Sequence, residues 1–441
     1  MERTKINELK ENVGKKVLIK GWVHEIRDQS KIKFILFRDN SGIVQLVIPI
    51  SNKDFFDKAK DIKRESVLSV EGVVKNAEVK NPEVTEKTIE VNVEKFEVLS
   101  LAEKNLPLQV VTGKDIAELS TRLDYRWIDL RKPKNLLIFK IWTAVEAAMR
   151  EYWINRGFIE IHSPKLINTA SESGAEVFEV KYFDRKAYLA QSPQFYKQMA
   201  MAAGFEKIFE IGPVFRAEKS HTTRHLTEIT MVDSEISFIK DLEDIMKYEE
   251  EWIVYILKKV KEQYGQQIKD FYGVELIIPT TPFPKIKLTD ALNLVYKEKG
   301  YKSTSEDLDS EAEKLLGEII KEKYNHEFVF VTEYPVSVRP FYHMYTQDGK
   351  HTQSYDLLWK GLEITTGAVR EHRYEILKEQ AIKKGLNPEG DIKHYLNFFR
   401  YGCPPHGGFG FGFGRFVMNI LGLKNVKEVI YLPRDVERLT P

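Results

Sequence analysis

Three short stretches of this 441-residue sequence carry residue types that could do chemistry. The first, FRAEKSHTTRHLTE from Phe215 to Glu228, gathers Arg216, Glu218, Arg224 and His225 on what reads as two strands joined by a polar loop. An arginine held rigidly on a strand suits a phosphate, because its planar fork offers paired donors to two oxygens. Taken alone, the stretch reads more readily as a solvated hairpin of mixed charge. The second, YDLLWKGLEITTGAVR from Tyr355 to Arg370, sets Asp356 and Glu363 seven residues apart, so that two neighbouring strand positions can converge on one metal. Mg²⁺ takes oxygen ligands, usually one or two carboxylates plus substrate phosphates. The third, YGCPPHGGFGFGFGRF from Tyr401 to Phe416, has glycines at 407, 408, 410, 412 and 414, which leave backbone open to a flat ligand. Arg415 then opens an apolar helix, FVMNILGL.

The elements that must position these residues fall into two characters. The first hundred residues alternate apolar and polar in five runs (KKVLIKGWVHEIRD, KIKFILFRD, GIVQLVIP, SVLSVEGVVKNA and KTIEVNVEKFEVLS), and NKDFFDKAKDIKRE reads as one helix after the third. That order predicts a small OB-type barrel, a fold that often binds oligonucleotides, although a purely structural barrel fits the same pattern. Lys15, Lys16, Lys20, Arg27, Lys31, Lys33 and Arg38 are interleaved there with Trp22, His24, Phe34 and Phe37. Cations track a phosphate backbone and aromatic faces stack unpaired bases. Strand alternation equally assigns about half of the aromatics to the core. Residues 103–135 read as a connector. From Leu136 onward, LLIFKIWTAVEAAMREYWINRG is a long helix stopped at Gly157, and FIEIHSPKL is a strand stopped at Pro164. Strands and helices then mix without the βαβ rhythm or glycine fingerprint of a Rossmann or P-loop site. The expected fold class is α+β: a barrel over 1–102, then an antiparallel sheet flanked by helices over 136–441.

Composition narrows the setting. With 42% hydrophobic and 30% charged residues the chain can build sizeable cores, and the single cysteine, Cys403, excludes an internal disulfide framework and a cysteine-based zinc site. The amino-terminal stretch has no apolar run behind a basic end, and no apolar run approaches membrane-spanning length, so a cytoplasmic protein is expected. A net charge of +1 gives no hint of nucleic-acid binding, yet a local basic stripe would still allow it.

In order and spacing these stretches resemble the class II aminoacyl-tRNA synthetases of the aspartate, asparagine and lysine branch, most closely the archaeal-type aspartyl enzymes. GFIEIHSPKL resembles the class's first motif, FRAEKSHTTRHLTE the second and GFGFGRF the third. TRLDYRWIDLRKP, QSPQFYKQ, RPFYHM and YLPRDVERLTP also resemble the aspartyl family. The resemblance implies ATP-dependent activation of L-aspartate with Mg²⁺ and transfer to tRNA by a homodimer. By resemblance, Arg216 bridges the α-phosphate and the substrate carboxylate. Ala217, Glu218, Arg224, His225 and Leu226 hold adenine and the outer phosphates. Gly412, Phe413, Gly414 and Arg415 complete the nucleotide site, and Glu363, Asp356 and Thr366 ligate the metal. Lys197 and Arg370 neutralise the substrate's side-chain carboxylate, which disfavours a neutral amide that would leave two desolvated cations unpaired. Glu172, Gln194, Phe195, Tyr196, Asp233 and Thr366 surround the amino acid.

Two departures stand out: Gly414 where the family usually has glutamate, and Ile229 where an aromatic often stacks on adenine. The barrel must also accept or ignore the third anticodon base, which alone separates the aspartate and asparagine tRNAs. In the resemblance that choice involves His24, Phe34 and Pro82, and His24 with Pro82 matches relaxed members. A proline brings no donor to that base. The expectation is charging of tRNA(Asp) and also tRNA(Asn). A strictly tRNA(Asp)-specific ligase or an asparagine–tRNA ligase are the alternatives.

Overall fold

The computed structural model describes residues 1–111, 117–169, 177–390 and 392–441. The chain divides into two compact units, Met1–Leu136 (with Pro441) and Leu137–Thr440.

The first unit is a closed barrel of β1 (Lys16–Gln29), β2 (Ile32–Arg38), β3 (Ile43–Pro49), β4 (Val67–Asn76) and β5 (Ile89–Ser100), in the order β1-β2-β3-β5-β4. Alternation builds it. Val17, Ile19, Val70 and Val91 point inward at every second position and join Phe37, Leu46 and Phe96 in one core. The helix expected after the third strand is present but shorter, α1 spanning only Lys53–Lys58. Beyond it Ile62 must reach the core and Glu65, at φ 66°, must enter the barrel's buried polar network, which a continued helix would prevent. The unit ends with α2 (Leu119–Asp124) and α3 (Arg126–Asp129). There the fully buried Asp129 accepts from Arg122, Arg126 and Lys132.

Helix α4 (Pro133–Ile154), most of which belongs to the second unit, begins on a proline, whose missing N–H costs nothing at a first turn. Beyond it come β6 (Ile159–Glu160), β7 (Leu166–Ile167), β8 (Glu179–Tyr182), β9 (Arg185–Leu189), α5 (Gln194–Ala202), β10 (Lys207–Phe215) and β11 (Glu228–Ser237). Then follow α6 (Leu242–Tyr272), β12 (Lys285–Lys287), α7 (Leu288–Lys299), α8 (Ser310–Tyr324), β13 (Phe328–Thr332), β14 (Ser354–Trp359) and β15 (Leu362–Arg370). The unit closes with α9 (Tyr374–Lys383), α10 (Lys393–Asn397), β16 (His406–Gly412) and α11 (Phe413–Leu421).

Eight strands form the main sheet in the order β12-β13-β14-β15-β16-β11-β10-β6. The sheet is antiparallel through its middle, as expected, but its two outermost pairs, β12 with β13 and β6 with β10, are parallel, so it is mixed. Helices α4, α6 and α11 cover it through Trp153, Trp252, Ile256 and Phe416, all fully buried. Trp153 stacks on Trp252 at 4.8 Å and on Phe209 at 4.6 Å. Within this core, α6 carries Glu249, fully buried, whose carboxylate accepts from Tyr355 Oη at 2.6 Å. Burial pushes its pKa to about 8. That contact requires Gly367, because a Cβ there would lie 2.3 Å from Tyr355 Cζ.

Candidate active site

The polar pocket of the second unit lies on the open face of the neighbouring strands β11, β15 and β16 and encloses about 360 Å³. That is within the range of small-molecule sites. The register explains the assembly. Antiparallel pairing puts Asp233 opposite Gly410 and Thr366 opposite Gly410 across the two sides of β16. Glycines on β16 therefore keep the floor low between two walls of side chains. At Gly408 an added Cβ would meet Ser234 O at 2.0 Å, so no other residue fits that strand position without moving the sheet.

At one end lie Arg216, Glu218, Arg224, His225, Leu226, Ile229 and Arg415. Arg216 directly follows β10, and its backbone N–H donates to Thr227 O at 2.9 Å, which extends the β10–β11 ladder by one step. Its Nε is buried and has no hydrogen-bond partner. A buried donor without a partner is costly, and an anion in the pocket would relieve that cost. Arg415, in the first turn of α11, donates to Glu363 O at 2.9 Å and stands 3.4 Å from Glu363 Oε2. Burial and the charge of Arg415 hold the His225 imidazole below its ordinary pKa.

The hairpin β14–β15 carries the paired acids. A register shift at Leu357/Leu358 brings Asp356 opposite Thr366, and the Thr366 hydroxyl donates to Asp356 Oδ1 at 2.8 Å and to Glu363 Oε1 at 3.3 Å. Asp356 is further back than the seven-residue spacing suggested: it is buried, and its Oδ2 is 2.7 Å from Arg339 Nη2. Burial raises the Asp356 carboxyl, with Arg339 opposing and Glu363 reinforcing. Burial also works against ionised Glu363, but Arg415, Arg339 and Arg216 outweigh it and hold that carboxyl low. The cluster thus offers two carboxylates and a hydroxyl, hard oxygen donors that fit Mg²⁺ shared with a bound phosphate. Among the described residues no group of three or more His, Cys, Asp or Glu converges as a self-sufficient metal site.

At the other end Gln194, Asp233, Thr366 and Arg370 line the pocket, with Lys197 behind its wall. Lys197, on α5, is fully buried and reaches Asp233 Oδ1 at 2.8 Å, Phe409 O at 3.1 Å and Glu235 Oε2 at 3.4 Å. Arg370 donates through Nε to Glu235 Oε1 at 3.0 Å and through Nη2 to Gly408 O at 3.1 Å, while Nη1 meets His343 Nε2 at 2.9 Å. Since arginine can only donate, that histidine nitrogen is the acceptor. Burial and Arg370 keep His343 well below its ordinary pKa, in the neutral form such an acceptor requires. Glu235 is pushed up by burial and pulled down further by Arg370 and Lys197; its pKa is lowered overall. Asp233 goes the other way, raised by burial despite Lys197.

Several sequence expectations land elsewhere. Glu172 lies outside the described residues. Gly412 and Gly414 line the pocket, whereas Ala217 does not. Phe195 and Phe413 are packing residues: Phe195 stacks on Tyr395 at 4.1 Å and Phe413 lies 3.9 Å from the Trp142 ring. Tyr196 lines a separate small recess with Ile167 and Tyr395. Sequence reading missed Glu235, Arg339 and His343. Glu235 was detectable, because on a strand it shares a face with Asp233 two residues earlier. The other two stand in the RPFYHM segment, where only the fold shows which side chains turn inward.

Gly414 has a structural counterpart. An added Cβ would lie 3.0 Å from Val426 Cγ2 and 3.3 Å from Ile430 Cδ1, so apolar side chains fill the place a glutamate would take. Gly414→Glu is therefore expected to leave activity equal or lower it several-fold, measured as amino-acid-dependent pyrophosphate exchange. A variant clearly faster than the natural protein would show that the glycine is a lesion.

In the barrel, the basic and aromatic stripe is only partly on the surface. Lys15, Lys20, Lys31 and Arg27 are exposed, but Phe37, Lys33, Arg38 and His24 are buried. A bulge between Val23 and Glu25 breaks the alternation and turns both Val23 and His24 inward. His24 Nδ1 accepts from Arg38 at 2.8 Å, which leaves Nε2–H to face Glu83 Oε2 at 3.3 Å. His24 is 1% exposed, and Glu83, which it faces, directly follows the exposed Pro82. Phe34 is half-buried.

Comparison with known proteins agrees with this architecture. Residues 118–436 match the family described as tRNA synthetases class II (D, K and N), and residues 17–99 match the OB-fold nucleic acid binding domain. The chain is 47% identical over 434 residues to the aspartate–tRNA(Asp/Asn) ligase of Aeropyrum pernix, covering 97% of this chain and 96% of that one. It is 45% identical over 442 residues to the aspartate–tRNA(Asp) ligase of Pyrococcus furiosus, covering 99% and 98%. Among solved structures, the asparaginyl-tRNA synthetase of Pyrococcus horikoshii complexed with asparaginyl-adenylate superposes with a TM-score of 0.90 at 33% identity over the full length of both chains.

Proposed function

From a chain that belongs to the class II tRNA synthetases (D, K and N), with this pocket at the centre of its sheet, we infer an aspartate–tRNA ligase. Relatives bearing that activity in their names match it nearly end to end. In the first step an oxygen of the substrate's α-carboxylate attacks the α-phosphorus of ATP. The new O–P bond forms as the bond to the β-phosphate oxygen breaks, and pyrophosphate leaves. In the second step a terminal ribose hydroxyl of tRNA attacks the acyl carbon, the aminoacyl ester forms, and AMP leaves. Neither step uses a protein nucleophile, so the residues act by positioning and by meeting developing charge.

The observation that carries the reading is the pair of opposed electrostatic ends in one pocket. Arg216, with its unpartnered buried Nε, faces the phosphate end beside Arg415. Lys197 and Arg370 stand buried at the other end, suited to a second carboxylate. With Asp233 and Glu235 beside them, an incoming carboxylate meets a balanced cluster in which Asp233 suits the substrate ammonium. Glu363, Thr366 and Asp356 would hold Mg²⁺, which when bound supplies charge neutralisation at the phosphates. The same proposal assigns the barrel, residues 1–102, to the anticodon, the segment 103–135 to a hinge and 136–441 to catalysis.

The test is exchange of labelled pyrophosphate into ATP with aspartate and asparagine side by side. Exchange with aspartate at least a hundredfold faster is expected; equal or reversed rates would move the reading to the asparagine ligase. For tRNA, His24 and Pro82 support relaxed choice, with tRNA(Asn) also aminoacylated with aspartate. Both transcripts are expected to charge within about tenfold of each other, whereas a hundredfold preference for tRNA(Asp) would make the enzyme strict. A homodimer is also proposed, supported by exposed apolar side chains at Ile154, Ile159 and Leu166 around the segment resembling the first class motif. Sedimentation as a monomer at micromolar concentration would overturn that. No helix among the described residues is long and apolar enough to cross a membrane.

A further inference from the structure

Arg224 sits at the mouth of the pocket on the long connection between β10 and β11, and its guanidinium is not held by that connection. Its Nη1 instead donates at 2.8 Å to Oε2 of Glu313, a residue 89 positions later in α8. Both side chains are largely covered, Arg224 at 23% and Glu313 at 14% exposure.

The helix that presents Glu313 is fixed at three places. Asp309 caps it, accepting from Ala312 N at 3.0 Å through one oxygen and from Tyr301 Oη and Ser303 Oγ through the other. Leu316, Ile319 and Ile320 bury its inner face against β13. Between these, its backbone touches the turn of the β14–β15 hairpin. A Cβ on Gly317 would lie 2.4 Å from Gly361 N, and one on Gly361, at φ +73°, would lie 2.9 Å from Glu313 O. Two glycines thus let α8 press against the turn, two residues before Glu363. Glu313 is a fixed point and the Arg224 side chain is the partner that adapts.

We propose that Glu313 is a positioning residue that aims Arg224 at the outer phosphates of the nucleotide. It does not touch the nucleotide itself; it orders a long side chain before the ligand arrives, so that less rotamer freedom is lost on binding. The inference rests on reading the pocket as the ATP site. A carboxylate in this position would otherwise repel a triphosphate. Pairing with Arg224 leaves the couple neutral, with the remaining guanidinium donors free in direction for phosphate oxygens. Burial, with Glu363 adding and Arg224 opposing, brings the Glu313 carboxyl to about 7, so the pair is complete in mildly alkaline solution.

The experiment uses the full chain at pH 8, with calorimetric Kd for ATP and steady-state pyrophosphate exchange on Glu313→Ala, Glu313→Asp, Arg224→Ala and the double variant Arg224→Ala/Glu313→Ala. Glu313→Ala is expected to raise the ATP Kd and KM at least fivefold while KM for aspartate stays within twofold. Glu313→Asp, which withdraws the charge by one methylene, should fall between it and the natural protein. The double variant should be no worse than Arg224→Ala, because Glu313 acts through that arginine. ATP affinity within twofold of the natural protein in both Glu313 variants would overturn the proposal, as would losses that multiply in the double variant. A natural protein that binds no ATP would overturn the reading of the site itself, a different failure from a natural protein that binds ATP as its Glu313 variants do.

Discussion

Replacing Arg216 by alanine is expected to slow aspartate-dependent pyrophosphate exchange by on the order of 10²–10³, the scale of removing one donor aimed at charge that develops in a transition state. The backbone at Arg216 is an extension of the β10–β11 ladder, so the side chain leaves the sheet from a rigid point. Its buried Nε has no partner in the protein, which separates it from Arg415 and Arg370, whose donors are engaged by Glu363 and Glu235. A group held ready and unsatisfied gives up little on meeting the α-phosphate and the attacking carboxylate. The loss should therefore fall on kcat more than on KM for ATP. Lysine at this position should recover only part of the rate, because a single ammonium cannot bridge two anions in the geometry of a guanidinium. A loss below threefold in folded Arg216→Ala would mean that the arginine is not at the reacting phosphate.

Lys197→Ala should damage aspartate use by roughly 2–5 kcal/mol, the scale of breaking a desolvated charge pair, or about 30-fold to several thousand-fold in kcat/KM. The ammonium is fully buried and meets Asp233, Glu235 and the Phe409 carbonyl. Its removal takes away the ion-pair partner of buried Asp233, leaves Glu235 with Arg370, and gives the substrate carboxylate one cation instead of two. The KM for ATP should change only a few-fold, since Arg216, Arg415 and Glu363 stand at the other end of the pocket. Part of the effect is also expected in the free protein as a lower Tm, because uncompensated buried charge destabilises the fold. Collapse of ATP affinity with unchanged aspartate kinetics would place Lys197 in the wrong half of the site.

The sequence by itself determined the units of this protein. Period-two alternation in five runs and the turns between them specify the barrel, since each strand must bury one face. Gly157 marks the stop after α4 by local backbone chemistry, a glycine in the left-handed region at φ 76°. The resemblance carried by three short stretches, together with QSPQFYKQ, named the family and the pocket residues Arg216, Arg370 and Arg415, because those side chains leave rigid strands or a first helical turn at fixed points of the chain.

Only the tertiary structure decided what those side chains meet. Lys197 and Phe409 are 212 positions apart and Glu313 and Arg224 are 89 apart, and no periodicity links such pairs; sheet order and helix packing do. His24 turned inward because a bulge reversed the alternation that had put it on a surface stripe, and Asp356 pairs with Arg339, a residue outside its own hairpin that no spacing within the hairpin specifies. Glu235 lies between both buried cations because three neighbouring strands and one helix converge there, and the charge balance of the amino-acid end follows from that meeting. Local sequence sets where a side chain begins; which partner neutralises it in a desolvated interior depends on chain segments brought together only by the closed fold.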